Sequence, residues 1–395
     1  MSFRKLLLCG GLLSLALAFV PGGFADTAKT AAPDKEAKPT ERPRVEVVFC
    51  LDTTGSMGGL IDAAKKKIWT ISNQIAGGKP LPDVKVGLVA YRDRGDDYIT
   101  KVFDLTDDLD SVYANLMGFK ADQGGDEPES VNQALFDAVH KITWSKDKKV
   151  LKMIFLVGDA PPHMDYPDDV KYPETCKEAV KRDIIINTVL CGNSASAKEH
   201  WLKICRGAEG SFVQIDAGGG PIVAIATPFD KDLEALNSKL SATTLCFGDK
   251  GKKDADGVFA VFGRDLKGEA AASRIEYFAR EGKGAAYDLL QQIKDGKVKL
   301  KEIKEAELPK ELQGKTEKEQ TAFLEKLDKE RQELGKQAVE LSKKRAAYIA
   351  QKQKEDEKLR ARDSFDNQVL GILRAQAARA HIEYAAPPAE EEKKK

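Results

Sequence analysis

The residues with the spacing to do chemistry stand in one short run, DTTGSM, where Asp52, Thr54 and Ser56 offer a carboxylate and two hydroxyls at alternate positions. Oxygen donors spaced in this way on one loop converge on a small hard cation. Mg²⁺ is satisfied by a few protein oxygens plus retained waters, so such a loop leaves a coordination position open to an incoming group. Asp, Thr and Ser are also preferred helix N-caps, and the same run equally suits the start of a helix near Gly58. Two later loops carry further acids: GGDEPESV holds Asp126 and Glu129 ahead of an apolar helical pattern, and FLVGDAPPH ends a buried run at Asp159. Asp126 and Glu129 also fit the acidic side chains that complement a helix N-terminus, and Asp159 before Ala-Pro-Pro fits turn chemistry. Arg92, Asp93 and His163 stand near enough in sequence to orient these loops or to form their rim, the role usually taken by groups that hold ligands in place. They serve equally well as turn residues.

The elements that must position these loops follow from hydrophobic patterning. VEVVFCL, residues 45–51, is a continuous β-branched apolar run of the kind a strand shows when both its faces are covered. Similar runs cover residues 84–91, 151–157, 184–190 and 211–215, alternating with amphipathic stretches at 60–75, 109–119, 131–142, 176–182 and 197–205. Such alternation predicts an α/β fold, a doubly wound, mostly parallel sheet. Residues 98–105, after the polar turn RDRGDD, read as a short edge strand. In such sheets ligands collect at the carboxyl ends of strands, where the first and third of these loops fall, the second opening a helix.

Strand 45–51 followed by Asp-x-Thr-x-Ser-Met resembles the metal-ion-dependent adhesion site of von Willebrand factor A and integrin-type domains, and the second and third loops follow in the expected order. The D-x-P-E spelling from Asp126 to Glu129 departs from the commoner threonine and is similar to integrin β-subunit domains. The resemblance implies that Glu129 reaches the metal, directly or through water, and that Asp126 is a ligand or serves an adjacent site. The metal set it implies is Asp52, Thr54, Ser56, Asp126, Glu129 and Asp159, with no catalytic residues and Mg²⁺, or Mn²⁺ or Ca²⁺, as the ion. It implies a protein partner whose acidic group fills the open position. A metal-dependent hydrolase and a subunit of a larger assembly are the alternatives. With four histidines, and no Walker A loop or nucleophile elbow, the acid–base inventory is thin.

Around this core the chain is expected to divide into a signal peptide at 1–25, a linker at 26–44, the α/β domain at 45–245, a connecting segment at 246–284, a helical region at 285–386 and a charged tail at 387–395. Arg4 and Lys5 precede an apolar run from Leu6 to Val20, with cleavage expected after Ala25, so the protein is expected to be secreted or periplasmic. An uncleaved anchor is the alternative. Residues 26–44 hold too little apolar surface to order themselves. The helical remainder resembles the C-terminal extension of bacterial secreted proteins of the same family. Leu327, Leu334, Leu341 and Tyr348 recur at heptad spacing, but Arg331, Ala338 and Arg345 occupy the alternate seam. That pattern half supports a coiled coil and self-association, and equally suits a hairpin packed on itself or on the first domain. Of the six cysteines, Cys191 and Cys205 flank a helix, so one disulfide and a set of buried thiols are both open readings. The 63 basic and 63 acidic residues give a net charge of +0, which argues against nucleic acid as the partner.

Overall fold

The computed structural model describes residues 42–125, 127–218, 225–248, 266–281, 288–356 and 365–384. The expected signal, nearly all of the linker, the charged tail and Asp126 lie outside the described residues. Six strands form one sheet: β1 (Arg44–Asp52), β2 (Asp83–Tyr91), β3 (Thr100–Thr106), β4 (Leu151–Gly158), β5 (Ile184–Cys191) and β6 (Phe212–Ile215), in the order β3-β2-β1-β4-β5-β6. All pairings are parallel except β2 with β3. The apolar runs fall where their composition demands. β4 and β5 are buried at every position, whereas the mixed sequence of β3 leaves it half-buried at the antiparallel edge. Register pairs Asp52 with Tyr91 and Leu51 with Val157, so β1, β2 and β4 end together and discharge their loops at one edge.

Helices α1 (Gly58–Ile75) and α2 (Leu109–Met117) lie on one face of the sheet. The other is covered by α3 (Val131–His140), α4 (Tyr172–Lys181) and α5 (Ala195–Gly207). The chain continues through α6 (Asp230–Ala242), α7 (Gly268–Glu281), α8 (Leu289–Lys294), α9 (Glu317–Glu355) and α10 (Phe365–Ala377). The segment expected to be a connector thus holds α7, whose amphipathic GEAAASRIEYFARE lays Ala271, Ile275, Tyr277 and Phe278 inward. A polar seam fixes it on the α/β layers. Lys67 meets Glu269 at 2.8 Å, and Arg274 forks onto Asp110 with two bonds of 2.7 Å while also reaching Asn237 and Ser241.

α10 closes the first face of the sheet itself. Phe49 of β1 stacks on Phe155 of β4 at 5.5 Å and meets Phe365 at 6.2 Å, and Val369, Ile372, Leu373 and Ala377 belong to the same core as β1, β4 and α1. In that interior the side chain of Asn187 exchanges two hydrogen bonds with Gln376, at 3.1 and 2.7 Å. Beyond α10, Lys79 bridges to Glu383 and the Tyr384 hydroxyl donates to the Ile75 carbonyl at 2.7 Å.

The 39-residue α9 starts on a capping box of Thr316 and Glu319. Its heptad stripe faces α6, α7 and α8 rather than a second long helix. Leu334 and Ala338 pack on Leu233, Leu236 and Ile275, while Leu324 and Leu327 meet Leu289 and Leu290. The two arginines that interrupt the seam find carboxylates: Arg331 pairs with Asp288 at 2.5 Å and Arg345 with Asp230 at 2.9 Å. The side on which a coiled-coil partner would sit is therefore taken up internally. The five described cysteines are free thiols, so the pairing of Cys191 with Cys205 is not made. No described helix is long and apolar enough to cross a membrane.

Candidate functional site

The edge where β1, β2 and β4 end brings together five of the six sequence-selected acids and hydroxyls, Asp126 lying outside the described residues. Asp52 is fully buried, and its Oδ1 accepts bonds from the backbone N–H of Thr54 at 2.9 Å and the Thr54 hydroxyl at 2.7 Å. Thr54 Oγ1 stands 3.4 Å from Ser56 Oγ, and Ser56 is exposed, so this row of oxygens runs from the core to the surface. The turn that follows, Gly55–Met57, and α1 both lack a side-chain cap, which removes capping as the reason for Asp52, Thr54 and Ser56. Asp52 Oδ2 is buried with no hydrogen-bond partner.

Glu129 approaches from the second loop. It is 3% exposed, its Oε2 likewise has no partner, and it precedes the uncapped N-cap Ser130 of α3 instead of serving that helix. Its backbone is sewn to the third loop, since Glu129 N–H donates to Pro161 at 2.9 Å and His163 N–H to Glu129 at 3.0 Å. Asp159 opens that third loop, half-buried, and raises the pKa of both other acids.

Burial is the largest cause of the shift at Asp52, pushing its carboxyl up to about 7 against the lowering effect of the Thr54 bonds. Burial again leads at Glu129, which is pushed up to about 9 with Asp52, Asp93, Asp96 and Asp159 adding to it. Like charges held this close out of water, with acceptor oxygens unsatisfied, are unfavourable as they stand, and a bound cation would relieve them. Among the described residues no three His, Cys, Asp or Glu side chains form a metal cluster by themselves. A cation here would therefore also draw on the Thr54 and Ser56 hydroxyls. The donors are all oxygen, which fits Mg²⁺, Mn²⁺ or Ca²⁺.

Small residues make the convergence sterically feasible. A Cβ on Gly158 would fall 2.3 Å from the Tyr91 hydroxyl and 3.1 Å from Asp52 Oδ2. Gly124 has φ +75°, and a Cβ there would sit 2.7 Å from Thr54 Cβ and 3.3 Å from Glu129 Oε1. Gly124→Ala is accordingly expected to destabilise by about 2 kcal/mol or more, from the left-handed backbone plus the contact with Thr54. A urea titration checks this, and an unchanged midpoint would refute it.

Arg92 is buried and holds two loops at once. Its guanidinium donates to Thr53 O at 3.1 Å, Lys120 O at 2.9 Å and Gln123 Oε1 at 2.6 Å. Asp93 ties the other pair: it accepts from the Ser130 hydroxyl at 2.7 Å and the Tyr166 hydroxyl at 2.8 Å, and His163 Nε2 lies 3.3 Å away. His163 stacks on Tyr166 at 3.9 Å and reaches Asp165 at 2.7 Å. The sequence reading missed Gln123, Ser130, Tyr166 and Asp96. Ser130 had a signal in its place beside Glu129, whereas Gln123 acts through a backbone of φ 61° that nothing in its type announces.

Residues 46–216 match the family model for the von Willebrand factor A domain, and the chain carries a domain of that family. Among curated proteins it is similar to von Willebrand factor A domain-containing protein 7 of Rattus norvegicus, 42% identical over 93 residues, which is 24% of this chain and 10% of that protein. The Homo sapiens protein of the same name is 41% identical over the same length and share. The matched segment thus spans about a tenth of these relatives. Similar solved structures include proximal thread matrix protein 1 from the mussel byssus, at 14% identity over 45% of this chain and 42% of that one, with a TM-score of 0.35. The SpRpn10 VWA domain aligns at 14% identity over 45% of this chain and 89% of its own, with a TM-score of 0.34.

Proposed function

We propose that the chain is a divalent-cation-dependent protein-binding module of adhesion or scaffold type, and not an enzyme. The observation that carries this reading is the pair of buried, unpartnered carboxylate oxygens, Asp52 Oδ2 and Glu129 Oε2, beside a row of hydroxyls that ends at exposed Ser56. Asp52, Thr54, Ser56, Glu129 and Asp159 would hold the ion, Mg²⁺ or its substitutes Mn²⁺ and Ca²⁺, with Asp126, three residues before Glu129 in sequence, as a further ligand or the acid of an adjacent site. When bound, the ion supplies a positive charge and a position for an oxygen of the partner. The chain's own residues do the rest. Arg92 fixes the first two loops, Asp93 fixes the second and third through Ser130 and Tyr166, and the partner's acidic group would meet loops already held in place.

The hydrolase alternative needs a group to move protons at the site. His163, the nearest imidazole in the third loop, is buried, with Nδ1 on Asp165 and its ring against Tyr166, while its Nε2, 3.3 Å from Asp93, makes no hydrogen bond. The N-terminal pattern of residues 1–25 supports a secreted or periplasmic location, where an ATP-driven assembly would have no fuel. Self-association of the helical region would have to use a surface other than the α9 stripe.

Calorimetric titration of the full chain with Mg²⁺, Mn²⁺ and Ca²⁺, run beside phosphoester and peptide turnover assays, tests the reading. One saturable cation site without turnover is the expected result. Silence to all three ions ends the metal reading, and turnover that disappears in Asp52→Ala transfers the site to the enzymes.

A further inference from the structure

The charge around the site is one-sided. The loops that frame it, residues 92–99, 120–129 and 159–171, carry ten described Asp or Glu residues against four Lys or Arg, in a chain whose net charge is +0. Little of the basic charge is free. Arg92 is buried against carbonyls, and Arg94 is held by Asp168 at 2.9 Å and Asp169 at 2.6 Å with its guanidinium 4.0 Å over the Tyr166 ring. Lys171 donates to the Tyr166 carbonyl, which leaves Lys120 as the exposed cation of these loops among the described residues with no bond assigned to its ammonium. Of the acids, Asp93, Glu129 and the side chain of Asp169 are buried, whereas the side chains of Asp97, Asp165 and Asp168 are 70%, 73% and 69% exposed, Asp165 beside His163 and Asp168 beside Arg94, and Asp122 and Glu127 are exposed as well.

A bound divalent cation offsets two of these charges and leaves the surrounding loops negative. An acidic side chain approaching it is drawn by the ion and repelled by the rim. Resting on the cation reading above, we infer that the partner presents its metal-bridging Asp or Glu between basic residues, so that Lys or Arg on either side meets Asp122, Glu127 and Asp165 while the acid goes to the centre. The buried oxygens of Asp52 and Glu129 set where the acid goes, and the rim sets what may stand next to it.

The test uses the full chain with Mg²⁺ and three short blocked peptides, each with one aspartate, flanked by two lysines, two alanines or two glutamates. Binding is read by fluorescence anisotropy, beside melting of the unliganded protein with and without Mg²⁺. The lysine-flanked peptide is expected to bind about ten-fold tighter than the glutamate-flanked one, two rim pairs each contributing a few-fold. Chelator should abolish binding, and added salt should narrow the preference. Asp122→Asn with Glu127→Gln, both exposed positions, should narrow it as well. Equal or reversed affinities overturn the inference, as does absence of lysine-peptide binding at about 1 mM, a concentration at which even weak association registers. If Mg²⁺ still raises the melting temperature in those cases, the cation site stands and the partner inference alone fails. If Mg²⁺ has no effect on melting, or the peptides bind equally with chelator, both fall.

Discussion

A chain ending at residue 364 is expected to lose cooperative folding, although it retains every strand and all three loops of the site. The lost α10 places Phe365, Val369, Leu370, Ile372 and Leu373 at 5% exposure or less. At about 2 kcal/mol for each buried apolar side chain, their removal costs about 10 kcal/mol, comparable to the 5–15 kcal/mol that stabilises a typical domain. It also opens the sheet face at Phe49 and Phe155 to water and strips Asn187 of its Gln376 partner. Circular dichroism melting of the shortened chain is the measurement, with binding of a hydrophobic dye reporting the exposed face. A sharp transition near that of the full chain would show that α10 is dispensable. The milder substitution Leu373→Ala, at a fully buried position, should cost about 2–5 kcal/mol and keep the fold.

That dependence marks the limit of what the chain declares about itself. The strands could be placed from their apolar runs, because a strand covered on both faces carries few polar positions, and β3 could be told apart by its mixed composition. The first and third loops could be singled out because oxygen-bearing residues stand directly after a buried apolar run, although the same residues suit caps and turns; the second loop, between two helices, had no such marker. The period of FDNQVLGILRAQA states that α10 has an apolar stripe but says nothing of what lies under it, and the answer, β1 and β4, stands more than 200 residues earlier in the sequence. The same blindness applied to α7. Arg274, one of its two arginines, looks like surface charge until Asp110, from a different helix, is seen beneath it. Within the site, Arg92 and Asp93 were recognisable by position only. Their work is to bind carbonyls and hydroxyls of loops that sequence cannot bring together.

The second large effect is an inverted response to removing charge at Asp52. The folded-state pKa of Asp52, about 7, and that of Glu129, about 9, lie above their ordinary values, so the folded protein binds these protons more tightly than the unfolded chain. Stability from them is complete below the ordinary carboxylate range, and is lost as pH rises through about 7 and then about 9. The cation-free protein is therefore expected to melt at progressively lower temperature from pH 5 to pH 9. Mg²⁺ competes with the same protons, so its stabilising effect should grow over that interval. At a concentration a hundred-fold above its dissociation constant it should contribute about 2.7 kcal/mol. Asp52→Asn keeps an acceptor for the Thr54 N–H and hydroxyl while deleting the charge. At pH 8 without metal the variant should melt higher than the parent, by a few degrees for about 1 kcal/mol. Addition of Mg²⁺ should then reverse the order, because the parent gains and the variant does not. Scanning calorimetry of both proteins, with Mg²⁺ and with chelator, reads the crossing directly. Curves that stay parallel under both conditions would mean that Asp52 is an ordinary buried acid held in place by Thr54, and that its unpartnered oxygen faces no ion.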